Sequence, residues 1–264
     1  MIIRGGLVRS SDRSVLRLLH YWWPLALGWS MTVVVQRATG RAADVHGIVT
    51  LLSGIFAAYS LDRVLDPPGA TGRTWMTRML ALAGIVSAIV CWLAASTMPI
   101  RTAALVPVLG AASLLYPILK RFPVTKTVAL PVVWTWASIA LPFNDGSWLG
   151  WHAVLQPVAV PLLLLIGSGC LLCDLKDEAD DRRAGVRSLP AMFGGPATVR
   201  VAVLLAAASA AAALIEHRTG LAVSAAILGT ATCSPTLLAT EAAGPLLVDV
   251  ILTLPGILIS ARVV

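Results

Sequence analysis

Long apolar runs divide this chain into segments that alternate with short polar, charged or Pro/Gly-rich stretches. About 20 apolar residues are needed for a helix to cross the hydrocarbon core of a bilayer. The runs lie at residues 21–36, 45–61, 75–97, 102–119, 127–143, 152–173, 197–215, 219–240 and 245–262. The pattern predicts an all-α polytopic membrane protein, with nine transmembrane helices in a bundle around a central cavity. The first run is short, and it extends towards the N-terminus if Leu16 and Leu19 join the helix.

The composition agrees with this pattern. Hydrophobic residues make up 58% of the chain and charged residues only 12%, with a mean hydropathy of +0.84, whereas soluble domains carry about 25% charged residues. The length suits a single transmembrane domain over residues 1–264. The formal net charge of +7 comes from basic residues in short loops between apolar runs. Because that placement is typical of membrane topology, we predict a lipid bilayer and not nucleic acid as the partner.

The distribution of lysine and arginine predicts the orientation. With the N-terminus inside and nine alternating spans, fifteen of the twenty basic residues fall in inside segments. The five that fall outside are Arg37, Arg41, Arg101, Arg218 and Arg262. This bias predicts an N-in, C-out topology. We therefore expect a multi-pass protein of the cell inner membrane with its active site on the cytoplasmic side.

Seven of the thirteen acidic residues lie in two short segments, residues 59–66 and 173–183. Carboxylates at the edge of lipid are costly to desolvate, so they usually mark function. In the first segment, Asp62 and Asp66 are four residues apart at the end of a predicted helix and would face the same way. The alternative is a solvated helix end, but acidic residues contribute little to topology.

The second segment carries more carboxylates. Asp174, Asp177 and Asp181 are spaced i, i+3 and i+7, which predicts one stripe along a helix. Asp180 would project about 100° away from Asp181. The predicted topology brings both acidic segments to the cytoplasmic side, and this supports one composite site.

The ligand chemistry of this composite site favours magnesium. Mg²⁺ prefers oxygen ligands and usually binds through a few carboxylates together with substrate phosphates. The four cysteines lie in or at the end of apolar runs, and we interpret them as buried and chemically inert. The predicted metal ligands are Asp62, Asp66, Asp174, Asp177 and Asp181. An intramembrane enzyme that handles a lipid diphosphate is the first hypothesis.

Cationic and phenolic side chains near the same side are candidates for binding that diphosphate. Tyr116 and Lys120 are four residues apart at a predicted cytoplasmic helix end. A lysine ammonium would bind diphosphate as a point charge, and a tyrosine hydroxyl would donate a hydrogen bond. The alternative is an ordinary interfacial anchor. Three further basic residues flank the aspartates and complete the predicted substrate-binding set: Arg63, Lys176 and Arg182.

Together these motifs resemble the UbiA-type intramembrane prenyltransferase superfamily, over most of the chain. The most specific part is Asp174-x-x-Asp177-x-x-x-Asp181-Arg-x-x-Gly-Val-Arg-Ser-Leu-Pro-x-x-x-Gly194, which is similar to that family's second Asp-rich motif and the Gly, Thr-Leu-Pro and Gly that follow it. Ser188 stands where the family usually has Thr. Tyr116-x-x-x-Lys120 is similar to the family's Tyr/Lys motif.

The first motif departs from the family pattern Asn-Asp-x-x-Asp-x-x-x-Asp. Aligned on Asp62 and Asp66, the chain has Ala58 and Tyr59 at the positions of the Asn and the first Asp. Asp62 and Asp66 remain able to hold one ion. The resemblance implies Mg²⁺-assisted ionisation of an isoprenoid diphosphate, with Asp62, Asp66, Asp177, Asp181 and Lys120 as the catalytic residues. It also implies transfer of the prenyl group to an acceptor, most often an electron-rich aromatic ring.

Two other functions are compatible with the sequence. A UbiA-type terpene cyclase would perform the same ionisation, but a double bond of the substrate itself would attack the carbocation. The reduced first motif and the short chain keep this alternative open. A non-catalytic membrane scaffold or lipid carrier is the second, and it would not need the aspartates.

Overall fold

The computed structural model describes residues 10–65, 75–119, 122, 125–143, 155–240 and 243–263, and every regular element in these ranges is helical. A π-helical turn at Thr125–Ala129 and a 3₁₀ turn at Leu175–Asp177 accompany the α-helices. The helices are α1 (Ser10–Thr39), α2 (Val45–Leu65), α3 (Trp75–Ser96), α4 (Ile100–Ala103), α5 (Leu105–Leu119), α6 (Leu130–Ala140), α7 (Ala159–Asp174), α8 (Glu178–Ala184), α9 (Leu189–Phe193), α10 (Gly195–Ile215), α11 (Thr219–Ala231), α12 (Pro235–Leu238) and α13 (Ala243–Ser260).

Each apolar run of the sequence contains a helix, with differences at the ends. The first run, predicted at 21–36, belongs to the much longer α1. The run predicted at 219–240 is divided into α11 and the short α12, because Ser234 and Pro235 interrupt it. Backbone groups in lipid must be hydrogen-bonded internally, and this accounts for the all-helical fold.

By length and composition, five helical stretches in the described part of the chain could cross a membrane. They are Val45–Leu65, Thr77–Ser96, Ala159–Ala184, Gly195–Ile215 and Ala243–Ser260. Three shorter apolar helical stretches accompany them: Ile100–Tyr116, Thr127–Ala140 and Thr219–Ala231. The count of nine crossings stays a prediction from the sequence.

Helix α7 lies at the centre of the packing, against α6, α10 and α13. Small residues allow this close approach, as is usual where lipid offers no hydrophobic drive between helices. A Cβ built on Gly169 would lie 2.7 Å from Leu252 of α13. Two buried hydroxyls join α7 to α10, because Ser168 donates to the Ala202 carbonyl and Ser209 donates to the Pro161 carbonyl, both at 2.8 Å.

Helices α1 and α13 run in the same direction and meet at a buried serine. Ser30 Oγ donates to the Thr253 carbonyl at 2.9 Å and accepts from the Gly256 N–H at 3.0 Å. A Cβ on Gly256 would lie 2.5 Å from the Ser30 Cα. The absence of a side chain at Gly256 therefore lets the two backbones touch.

Several loop contacts define one end of the bundle. The Asp44 N–H donates to the Pro142 carbonyl at 2.8 Å, which joins the start of α2 to the end of α6. Arg218 Nη2, between α10 and α11, donates to the Ala38 carbonyl of α1 at 2.7 Å. We call this the distal end, defined by Ala38, Asp44, Pro142 and Arg218.

The closest of these distal contacts generates a prediction. A Cβ on Gly47 would lie 2.2 Å from the Leu141 carbonyl oxygen, which is backbone and cannot move aside. Gly47→Ala should lower the thermal midpoint of the purified protein in detergent by several degrees, since overpacking costs roughly 1–3 kcal/mol and each kcal/mol shifts the midpoint by about 2–4 °C in a chain of this size.

Gly110 is the matched control, because a Cβ there meets nothing within 4 Å. Gly110→Ala should leave the midpoint unchanged or raise it slightly, as alanine is favoured over glycine inside a helix. Equal midpoints for the two variants would contradict the close approach of α2 and the α6 end.

Candidate active site

The two acidic segments lie at the same end of the bundle. Helix α2 starts at the distal end and α10 finishes there, and each has 21 residues, which is about 30 Å of helix. The last turn of α2, with Asp62, and the first turn of α10 are therefore at the opposite end. Glu178 of the second segment contacts this first turn, because a Cβ on Gly195 would lie 3.2 Å from Glu178 Oε2. We call this the acidic end.

In the first segment, Asp62 is half-buried in the last turn of α2. The Arg63 guanidinium carbon lies 5.0 Å from the centre of the Tyr59 ring, a cation–π contact. Tyr59 occupies the position where the family pattern has an aspartate, so an aromatic ring in contact with a guanidinium stands in place of that carboxylate. Asp66 lies outside the described residues.

In the second segment, the predicted stripe is not carried by one continuous α-helix. Helix α7 ends at Asp174, a 3₁₀ turn follows, and α8 begins at Glu178. No glycine or proline in the sequence marks this change of helix type. The order of exposure still follows the predicted stripe: Asp174 is buried, Asp177 and Asp181 are half-buried, and the Asp180 side chain is 76% exposed.

The predicted diphosphate-binding cations in this segment contact neighbouring carboxylates. Lys176 Nζ lies 2.5 Å from Asp177 Oδ1. Arg182 Nη2 lies 3.0 Å from Glu178 Oε1, in an i, i+4 pair. The Arg182 side chain is mostly exposed, so that pair adds little stability. Lys176 is largely buried and therefore neutralises part of the acidic charge where solvent screens it least.

The residues after the second segment hold α8 in place. Gly185, with a φ of 69°, ends α8 in the left-handed conformation that favours glycine. The Ser188 hydroxyl accepts from the Ala191 N–H at 3.4 Å and caps α9. Gly194, with a φ of 84°, separates α9 from α10. These turns fold the chain back so that α10 starts beside Glu178.

Tyr116 is half-buried in the last turn of α5. Helix α5 comes from the distal end, since the Thr50 hydroxyl near the start of α2 donates to the Met98 sulfur at 3.5 Å just before α4. Tyr116 is therefore placed towards the acidic end. Lys120, the other member of the predicted pair, lies outside the described residues.

Asp249 is a candidate that sequence reasoning missed. It carries the sole charge of α13 and is half-buried. Its neighbour Val248 packs against Gly169 of α7, and the Asp249 carboxylate lies within electrostatic range of the Cys173 thiol, next to Asp174. The signal in the sequence was one carboxylate in an apolar run, which is itself a mark of function in membranes.

The donor chemistry of the acidic end fits magnesium. Its acidic side chains offer hard oxygen ligands. Among the described residues, however, no three His, Cys, Asp or Glu side chains are gathered closely enough to hold a metal ion by themselves. Asp66 is not among them. An ion at this end would therefore need further ligands, and Mg²⁺ commonly takes them from water and substrate phosphates.

The fold and the acidic end define a class: an integral membrane protein of α-helices with carboxylates collected at one end of the bundle. The family model of the UbiA prenyltransferase family matches residues 57–240. The chain therefore belongs to the UbiA prenyltransferase family, as its motifs led us to expect. Membership supports an enzyme with a prenyltransferase-type activity on a prenyl diphosphate in a membrane.

The fold is similar to a solved structure described as the apo structure of a UbiA homolog from Aeropyrum pernix K1. The TM-score is 0.66 at 17% sequence identity, and the match covers 97% of this chain and 100% of that chain. At this identity the likeness concerns the fold. A search of curated proteins finds no match.

The position of Asp249 generates a second prediction. Asp249→Leu should strongly reduce turnover, because a carboxylate held in an apolar membrane helix usually serves function. Asp249→Asn, which keeps the shape and a hydrogen-bonding oxygen, should also lose activity if the negative charge is needed.

Asp44 is the matched control at the distal end, where its carboxylate accepts from the Gly47 N–H at 2.8 Å and caps α2. Asp44→Ala should behave in the opposite way, with normal turnover and a loss of about 1 kcal/mol in stability. Full turnover in both Asp249 variants would remove Asp249 from the site.

Proposed function

We propose that this protein is a Mg²⁺-dependent prenyltransferase that ionises an isoprenoid diphosphate and transfers the prenyl group to an aromatic acceptor. One observation carries the proposal: two acidic segments more than a hundred residues apart end at the same end of a UbiA-type bundle. The alternative of a scaffold or lipid carrier gives no reason for this convergence. The single domain would extend over residues 1–264.

The proposed metal ligands are Asp62, Asp66, Asp174, Asp177 and Asp181. Bound there, Mg²⁺ would supply positive charge that stabilises the leaving diphosphate. The buried position of Asp174 supports this assignment, because a carboxylate at the end of an apolar helix is stabilised by a cationic partner.

The remaining polar residues of the acidic end would bind and orient the diphosphate. Tyr116 lies in the last turn of α5 and Arg63 in the last turn of α2. Lys120, which is outside the described residues, is proposed from its spacing to Tyr116 in the sequence. Lys176 and Arg182 already lie beside carboxylates of the second segment, so they would bind phosphate oxygens and carboxylates together. Guanidinium and ammonium groups form the strongest hydrogen bonds to such oxygens.

In the proposed reaction, the allylic C–O bond breaks and its electron pair leaves with the diphosphate. The acceptor ring then forms a C–C bond to the resulting carbocation and loses a proton to regain aromaticity. The chain contributes a dry environment that protects the cation from hydrolysis. Leu171 and Leu172, next to the acidic end of α7, are fully buried and would help to exclude water.

We place the acidic end on the cytoplasmic side of the cell inner membrane, with nine crossings and an N-in, C-out topology. The support is the basic-residue bias, fifteen of twenty on the inside. The directions of α1, α2, α10 and α13 between the two ends agree with strict alternation.

A terpene cyclase is the second candidate, and the Tyr59–Arg63 contact is the observation that favours it. Where the family pattern has a carboxylate, this chain has an aromatic ring under a guanidinium. An aromatic face can also stabilise a carbocation. In that reaction a double bond of the substrate would attack the cation, and the product would form without an acceptor.

One assay separates the candidates. Purified protein with Mg²⁺ and a panel of prenyl diphosphates, with and without phenolic acceptors, should give a prenylated acceptor only when the acceptor is present. Excess EDTA should abolish turnover, because the site offers carboxylates and no soft ligands. A cyclic product without acceptor would establish the cyclase, and full turnover in EDTA would refute metal-assisted ionisation.

The aspartates of the second acidic segment differ in solvent exposure, and this difference provides a more specific test of the proposed metal ligands. Asp181→Ala should reduce turnover at least about a hundredfold, because a metal ligand supports several kcal/mol of transition-state stabilisation. Asp180→Ala should change turnover by less than about threefold, because Asp180 forms only an exposed pair with Arg183, at 3.1 Å.

Thermal midpoints of both variants serve as the folding control and should match the wild type within a few degrees. Similar losses of turnover at Asp180 and Asp181 would contradict the assignment of the stripe. Wild-type turnover in Asp181→Ala would remove the second segment from the reaction.

A further inference from the structure

All five arginines that break the charge bias lie at the distal end, and four of them follow or end the helices α1, α10 and α13. Arg37 is in the last turn of α1, and Arg41 follows that helix. Arg218 donates to the Ala38 carbonyl at 2.7 Å, and Arg262, just after α13, faces the same cavity as Arg37. Non-cytoplasmic segments normally carry few arginines, so their collection around one helix end needs a reason.

One of these arginines has a left-handed backbone conformation, and another directly follows a residue that has one. Among the described non-glycine residues, only His217 and Arg262 have a positive φ, of 54° and 57°. Each ends a helix in a turn where glycine is preferred. The turn at His217, after α10, is followed directly by Arg218. The turn after α13 contains Arg262 itself. Glycine at position 262 would avoid the strain, so the arginine side chain is kept against a backbone cost.

The cavity between Arg37 and Arg262 has both charged and aliphatic walls. It is half-open to solvent, its volume is about 480 Å³, and the described residues that line it are Arg37, Ile259, Arg262 and Val263. Two guanidinium groups therefore face one space together with two aliphatic side chains. Such a lining suits a ligand with an anionic group and an apolar part.

Within the described ranges of the chain, no carboxylate pairs with either of these two arginines. Neither Arg37 nor Arg262 forms an ion pair or side-chain hydrogen bond with a described residue. The negative end of the α1 dipole attracts cations, but Arg218 already caps the Ala38 carbonyl. Two like charges in one cavity thus leave room for an external anion.

We propose that this arginine cavity binds the phosphate group of an anionic lipid headgroup, with Ile259 and Val263 against the start of an acyl chain. Guanidinium groups bind phosphate oxygens bidentately. The distal end of a membrane-spanning bundle lies at the headgroup level of one leaflet, which supplies this ligand in place. The site is separate from the acidic end and does not depend on the proposed reaction.

Binding can be measured on the full chain in detergent, by native mass spectrometry and by the thermal midpoint, with phosphatidylglycerol and phosphatidylcholine as probes. Phosphatidylglycerol should bind and raise the midpoint more than phosphatidylcholine. Removing one arginine charge should weaken phosphatidylglycerol binding roughly fivefold, and removing both should weaken it roughly thirtyfold.

Arg262→Gly is the decisive variant, because glycine relieves the backbone strain. Its midpoint without lipid should equal or exceed that of the wild type, so a loss of lipid binding could not be ascribed to misfolding. Arg37→Gln should also weaken binding, whereas Arg37→Lys should retain most of it. Arg101→Gln is the matched control: Arg101 is exposed in α4 at the same end of the bundle and does not line the cavity.

Three results would overturn the proposal. The first is unchanged phosphatidylglycerol binding in Arg262→Gly and Arg37→Gln. The second is an equal loss in Arg101→Gln, which would show a general effect of surface charge. The third is equal stabilisation by inorganic phosphate at the same concentration, which would make the site one for a soluble anion.

Discussion

Helices in lipid cannot be held together by burying apolar surface from water, so the bundle depends on close contact between backbones. Helix α7 shows how this works. Gly169 admits Leu252 of α13, and the buried hydroxyls of Ser168 and Ser209 bond to carbonyls across the contact with α10. Because α7 ends at Asp174, the same contacts that fix this helix also set the depth and direction of the second acidic segment.

Charged side chains at the two ends of the bundle offset the cost of desolvation in different ways. At the acidic end, carboxylates are partly neutralised by neighbours in sequence, as in the Lys176–Asp177 pair. At the distal end, Arg218 donates a hydrogen bond to a helix carbonyl, and Arg37 and Arg262 share a cavity whose described lining residues include no carboxylate. The acidic end is thus prepared for cations with phosphate, and the distal end for an anion.

The acidic end also differs from the usual pattern of its family in a way that bears on chemistry. Tyr59 removes a carboxylate from α2 and brings Arg63 over its ring. Asp249 on α13 adds a carboxylate next to the end of α7. Compared with the family pattern, this chain therefore has less negative charge on α2 and more between α7 and α13. In the proposed reaction, side chains near α7 and α13 would contact the leaving group or the acceptor differently as a result.

Local features of this protein were readable from the sequence, because they depend on periodicity and composition within one helix. The apolar runs, the two acidic segments, the outward direction of Asp180 and the family motifs are of this kind. The 3₁₀ turn at Leu175–Asp177 escaped prediction because no glycine or proline marks it. Asp249 was passed over because a lone carboxylate carries no spacing pattern.

The tertiary structure decided which distant residues meet. Asp249 and Cys173, or Arg37 and Arg262, are far apart in the chain, and their proximity depends on helix order and register. Register in turn is set by where glycines permit contact, as Gly256 does at Ser30. The sequence by itself therefore determined the helices and the chemistry available at their ends. Helix packing alone determined which of these side chains lie close together, since a contact between two helices depends on the shapes of both helix surfaces.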